Sequence, residues 1–166
     1  MTPSTPPAAI TEAVSATDAA LERLDQTLAA LTDGDLHLAH RDGGWTAAQL
    51  VSHINMSVLV WTASLARVAA DPDLDFLFRE EIGHDLLGYP PPSIDLARRQ
   101  LTSTRRTMGT CLAFFDPDVL ARELTIPDLG TLTVEAWTPP VLGHAAGHAD
   151  QALGVLRDRG ALTDTP

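Results

Sequence analysis

Two histidines four residues apart, in Gly143-His144-Ala-Ala-Gly-His148, carry the clearest chemical signal in this chain of 166 residues. On a helix such side chains stand one above the other, about 5–6 Å apart at Cβ, so two imidazoles can converge on one cation. On a helical wheel referred to Val141, His148 falls about 20° from the reference and His144 about 60°, which predicts an inward-facing pair. Ala145, Ala146 and Gly147 offer a buried imidazole no hydrogen bond and leave room above the pair. A third imidazole, His53, flanks a stripe of Leu50, Ile54, Trp61 and Leu65 near the start of an earlier segment. If the two segment starts lie on one side of the fold, the three rings meet. A cation held by three neutral imidazoles keeps a position for water or substrate and its full charge for polarising it. Ordinary core or surface histidines are the other reading the residues allow.

Ala145 stands where a zinc protease of the His-Glu pattern carries its glutamate. A general base would then come from Asp150, Glu135, Glu80 or Glu81, each of which also reads as an ordinary exposed charge. Gln151 is placed to brace a histidine from behind. Trp45 suits a wall of the site or a staple ahead of a helix. Trp61 and Trp137 read as core, Tyr89 as packing, Cys111 as an inert apolar-stripe residue, and His37, His40 and His84 as loop histidines.

The elements that position these groups read as four helices. The first runs from about Ile10 to Leu31, with Leu21, Leu24 and Leu28 on one face, and is ended by Asp33-Gly34-Asp35. The second opens at Thr46-Ala-Ala-Gln49, a capping box, and stops before Asp71-Pro72-Asp73. A long acidic connection over 71–92 holds Phe76, Leu77 and Phe78. Ser93 caps the third helix, with Ala97, Leu101, Thr104, Met108, Cys111, Leu112 and Phe115 inward and Arg98, Arg99, Arg105 and Arg106 on a solvated face. Thr and Val alternation over 124–134 around Asp128-Leu-Gly130 predicts a short hairpin. Thr138-Pro139-Pro140 is expected to open the fourth helix, which closes at Gly160.

The fold class expected is therefore all-α: a four-helix bundle with one long crossover and a small β-hairpin between helices three and four. It forms a single domain over 10–160, with a flexible leader at 1–9 and a tail at 161–166. The chain carries 11 basic residues, all arginine, against 22 acidic ones, a net charge of −11. Such a chain repels phosphate backbones and anionic membranes, so no nucleic acid and no membrane partner is expected. No apolar stretch reaches the roughly 18 residues of a membrane span, and a lone cysteine forms no internal disulfide, so a cytoplasmic location is expected.

Gly44-Trp45-Thr46-Ala-Ala-Gln-Leu-Val-Ser-His53-Ile, followed about ninety residues later by His144-Ala-Ala-Gly-His148-Ala-Asp-Gln151, resembles the DinB superfamily. Within it the pattern is similar to the YfiT-like metal-dependent hydrolases. The resemblance spans about Ile10 to Arg159. It implies a divalent metal ion, zinc or nickel, on His53, His144 and His148, and a small-molecule substrate. Other members use a low-molecular-weight thiol, bacillithiol or mycothiol, in S-transfer or isomerisation, and dimers are common, so a homodimer is an expectation. Arg41 and Arg79 are the arginines that could meet a negatively charged thiol, and both read first as surface residues. Metal-dependent hydrolysis is the leading expectation, thiol-dependent transfer the alternative, and a non-catalytic small-molecule binding module the further one.

Overall fold

Apolar residues three and four apart build the first helix of the computed structural model, which describes residues 5–71, 89–126 and 129–162. This helix, α1 (Ala8–Leu28), buries Ile10, Leu21, Leu24 and Leu28 completely. It ends three residues before the expected Leu31 because Thr32 starts a turn of its own. The Asp35 carboxylate accepts from the Thr32 N–H at 2.9 Å and from its hydroxyl at 2.7 Å, and Asp33–Leu36 forms the one-turn α2. Asp33 also accepts the Ile94 N–H at 2.7 Å, tying this turn to the far end of the long connection.

Thr46 and Gln49 close the capping box read from the sequence, with N–H···O distances of 3.2 and 2.8 Å, and α3 runs over Ala47–Ala70. Phe76, Leu77, Phe78, Arg79, Glu80, Glu81 and His84 lie outside the described residues. Ser93 accepts the Leu96 N–H at 3.3 Å and opens α4 (Ile94–Cys111). A 3-10 turn (Leu112–Phe114) and the one-turn α5 (Pro117–Leu120) follow. Leu112, expected inward, is exposed in that turn, whereas Phe115 is buried. Strands β1 (Glu123–Ile126) and β2 (Gly130–Thr133) pair antiparallel from Glu123↔Thr133 to Ile126↔Gly130, as the alternation predicts.

The last helix, α6 (Val134–Asp158), begins earlier than expected. Thr133, not Thr138, is its cap, accepting the Ala136 N–H at 3.2 Å. Val134 is fully buried and Trp137 donates its indole N–H to the Leu124 carbonyl at 3.0 Å, so the hairpin anchors the first turn. These contacts carry the helix through Pro139 and Pro140, whose missing N–H groups withhold the usual bonds from the Glu135 and Ala136 carbonyls. At the other end Gly160, at φ 70°, closes a Schellman motif. Its N–H bonds the Arg157 carbonyl at 2.9 Å, and that of Ala161 bonds the Leu156 carbonyl at 3.0 Å.

Helix directions follow from which residues touch. Thr17 and Arg23 of α1 meet Leu142 and Asp150 of α6, so these two helices run parallel. Asn55 and Thr62 of α3 meet Thr104 and Cys111 of α4, a second parallel pair, as a long crossover between them requires. Arg98 and Arg105 of α4 meet Asp25 and Asp18 of α1, so that pair is antiparallel, and α3 and α6, which meet at His53 and His144, are antiparallel in consequence. The four long helices therefore form an up-down-down-up bundle. Along α6 the fully buried Ala145, Ala149 and Ala152 keep side chains short at the centre, and the buried Thr17 hydroxyl reaches the Leu142 carbonyl at 3.0 Å.

Of the α4 arginines, Arg99 and Arg106 lie on the expected solvated face, whereas Arg98 and Arg105 turn to α1. Arg98 makes a two-pronged pair with Asp25 (2.9 and 3.2 Å) and Arg105 with Asp18 (2.7 and 2.9 Å), clamping α4 to α1. Hydrogen bonding and charge from Arg105 hold the Asp18 carboxyl below its ordinary value of 3.8. A depressed carboxyl stabilises the fold above its unfolded pKa, and that contribution is lost as pH falls through the folded value. Asp18→Asn should therefore lower stability at pH 7 by about 0.5 kcal/mol, the pair being partly solvated, and leave less acid sensitivity below pH ~4 in urea titrations. Equal losses at both pH values would contradict this.

Candidate metal centre

The buried stripe of α6 runs through Leu142, Ala145, Ala149, Ala152 and Leu156, one residue round from the Val141 line used to orient the wheel. His144 and His148 therefore sit on the flank of that stripe rather than within it: His144 is exposed and His148 half-buried. Because α6 starts at Val134, they are also the eleventh and fifteenth of its 25 residues and not near its beginning. His53 is seventh in α3, and it meets them because the two helices are antiparallel, so that an early turn of one faces the middle of the other. Bringing two helix starts to one side is not what joins the site.

The three rings converge through their Nε2 atoms. His53 Nε2 and His144 Nε2 are 3.0 Å apart, and His144 Nε2 and His148 Nε2 are 3.2 Å apart. All three potential ligand atoms lie within 4.8 Å of one another. An ion about 2.0–2.1 Å from each nitrogen in a tetrahedron needs an N···N edge of roughly 3.3 Å, close to the two short edges here. The donor set fits a borderline-soft divalent cation, for which imidazole is the preferred neutral ligand.

Tautomer and ring orientation are set from behind. His148 Nδ1 donates to Gln151 Oε1 at 2.8 Å, one helical turn on, which leaves the Nε2 lone pair of the neutral ring aimed at the cluster. Packing around the His144 ring pushes its pKa below the ordinary range, and the neighbouring His148 adds to this, so both effects favour the neutral, ligating form. Trp45, the residue before the Thr46 cap, sets its ring tilted against two of the imidazoles, 4.9 Å from that of His53 and 5.6 Å from that of His148. It acts as a wall as well as packing on the core. Ser57, one turn past His53, brings its hydroxyl to 3.5 Å from His53 Nε2. No sequence signal beyond the i, i+4 spacing marked it.

Other candidates are elsewhere. Asp150 is turned to α1, where it pairs with Arg23 at 3.3 Å, and Glu135 lies nine residues before His144, roughly 13.5 Å along the helix. Arg41 pairs with Asp158 at 3.7 Å, and His40 reaches Asp42 and Asp158. His37 Nε2 lies 3.3 Å from the Pro92 carbonyl. Tyr89, expected to pack, is 81% exposed. Cys111 is buried against the Thr62 hydroxyl, and burial pushes its thiol pKa up, which makes it a poor nucleophile.

Replacing Gln151 with alanine removes the acceptor that orients His148. The expected result is metal affinity lower by about 10–100-fold in a competitive chelator titration, with an unchanged far-UV spectrum. Wild-type affinity would show that Gln151 has no part in the site.

The fold is a small up-down-down-up helical bundle, and sequence comparison gives its family. Residues 16–152 match the DinB superfamily, and the protein belongs to that superfamily. Among solved structures it is similar to YfiT from Bacillus subtilis, described as a probable metal-dependent hydrolase with an unusual four-helix bundle topology. That match has a TM-score of 0.72 and 18% identity, covering 91% of this chain and 87% of that one. It is also similar to a mutant of a mycothiol-dependent maleylpyruvate isomerase, at a TM-score of 0.67 and 11% identity. There the match covers 88% of this chain and 60% of the isomerase, so the chain spans well under that protein's length. No curated protein sequence matches the chain. None of the described helices is long and apolar enough to cross a membrane.

Proposed function

We propose that the protein is a metal-dependent hydrolase of a small molecule, with a zinc or nickel ion on Nε2 of His53, His144 and His148. The observation that carries this is the convergence of those three nitrogens within 4.8 Å, two of them separated by distances close to a coordination edge. When bound, the ion supplies Lewis-acid activation of water or of a polarised carbonyl. The chain supplies the setting: Gln151 orients the His148 ring, partial burial favours the neutral form of His144, and Trp45 lies against the His53 and His148 rings. His144 faces solvent, which gives a small substrate its approach. Ser57 Oγ at the edge of the trio is placed to hydrogen-bond a substrate or water.

A second reading is S-transfer from a low-molecular-weight thiol. It is favoured by the donor set, which among the described residues contains three imidazoles and no carboxylate to serve as a base for water. A thiol, far more acidic than water, ionises at a cationic site without one.

Metal analysis after purification without chelator, followed by thermal shift with bacillithiol and with mycothiol in the presence and absence of zinc, tests both readings. About one equivalent of metal, and no zinc-dependent stabilisation by either thiol, supports the hydrolase; stabilisation by one of them supports S-transfer. Less than about a tenth of an equivalent overturns both.

A further inference from the structure

The groove outside the contact between α3 and α6 continues past the histidine trio toward Val60 and Pro140. The helices are antiparallel, so residues after His53 on α3 face residues before His144 on α6. At about 100° per residue, Val60 stands about 20° and Met56 about 60° round α3 from His53, on the side away from the buried Ile54. Pro140 and Ala136 stand about 40° and 80° round α6 from His144, on the side away from the buried Ala145. Met56 and Val60 are half-buried, and Pro140 and Ala136 are exposed, so these residues floor and edge a groove open to solvent. Ser57 Oγ, 3.5 Å from His53 Nε2, marks where the groove reaches the trio.

Both walls of this groove are uncharged. One residue in five of the chain is charged, yet none falls within 43–66 or 136–149, the stretches that carry the trio and the groove. The first charge on the α3 side is Arg67, about 21 Å along the helix from His53. Asp150, just past the α6 stretch, turns to α1 and pairs with Arg23, and Arg41, ahead of Trp45, pairs with Asp158. An ionic group lying in the groove would lose water and meet no counter-charge among the described residues. The net charge of −11 adds a repulsion for anions. We propose that the substrate of this site is an uncharged ester or amide, its apolar end lying along Met56 and Val60 and its scissile carbonyl toward the trio and Ser57. Its hydrolysis takes up one water, the hydroxyl going to the acyl carbon and the proton to the leaving oxygen or nitrogen. This deepens the hydrolase reading and rests on it.

The test is calorimetric titration of the zinc-loaded, full-length protein with hydroxamates that share one metal-binding group and differ only at the far end of the chain. Pentanohydroxamate ends in a methyl group, glutaric monohydroxamate in a carboxylate and 4-aminobutanohydroxamate in an ammonium group. The methyl-ended ligand should bind about tenfold or more tighter than either charged one. Met56→Lys places a cation on the groove floor and should tighten the carboxylate-ended ligand about threefold or more while weakening the ammonium-ended one. Because the readout is affinity, it is separate from turnover. Equal affinities for the three ligands with zinc in place, no binding by any of them, or an unchanged order in Met56→Lys overturns the inference and leaves the metal centre standing. Failure of the protein to take up zinc overturns the hydrolase reading and this inference with it.

Discussion

His148→Ala should reduce bound metal from about one equivalent to less than about a tenth, while helix content by circular dichroism stays near wild type. The chain fixes the orientation of the His148 ring through Gln151, and its Nε2 lies 3.2 Å from that of His144. Without it two nitrogens remain, and the loss in affinity should exceed the 10–100-fold typical of removing a supporting residue alone. The helix should persist because His148 lies on the flank of α6, whereas Ala145, Ala149 and Ala152 make the buried contacts. Full metal occupancy in the variant would remove His148 from the site.

Trp137→Ala should have the largest effect on stability of the substitutions considered, about 3–5 kcal/mol in urea unfolding. The indole is buried, and its N–H donates to the Leu124 carbonyl, the bond that joins hairpin to helix at the beginning of α6. That turn precedes Pro139 and Pro140, where the helix has lost two of its own hydrogen bonds, so the anchor and the weakness are adjacent. Trp137→Phe keeps most of the apolar area and loses the hydrogen bond, and should be destabilised by about 1–2 kcal/mol. Similar losses for the two variants would mean that the N–H bond, not the buried area, dominates.

These two residues also mark how far local reasoning reaches. Capping signals at Thr46-Gln49 and Ser93 act within four residues, and the helices begin where those signals put them. The last helix does not, because a proline pair at a favoured first-turn position is a local argument. The burial of Val134 and the Trp137 bond to β1 are tertiary, and they prevail. The same division holds at the site. The i, i+4 spacing is enough to bring His144 and His148 together, since helix geometry alone does that. The meeting with His53 depends on α3 and α6 being antiparallel, which the long crossover between α3 and α4 makes natural but which no single helix encodes.

The core line of α6 runs through Leu142 rather than Val141, about 100° round, which turns the expected inward position of His144 and His148 into a flank. For the arginines of α4, charge pattern alone reads as solvated surface. That holds for Arg99 and Arg106, but Asp25 and Asp18, the partners of Arg98 and Arg105 on another helix, are visible only once α1 and α4 are known to be neighbours. Ser57 is similar: by its spacing it reads as one more residue on a helix face, and it has no functional signature until His53 itself has a role.

The most direct test is a crystal of the protein grown with excess zinc and measured at the zinc absorption edge. The account predicts a single anomalous peak about 2.0–2.1 Å from Nε2 of His53, His144 and His148. Anomalous density absent from that point, or a zinc bound elsewhere with the three rings hydrogen-bonded to ordinary neighbours, would contradict it.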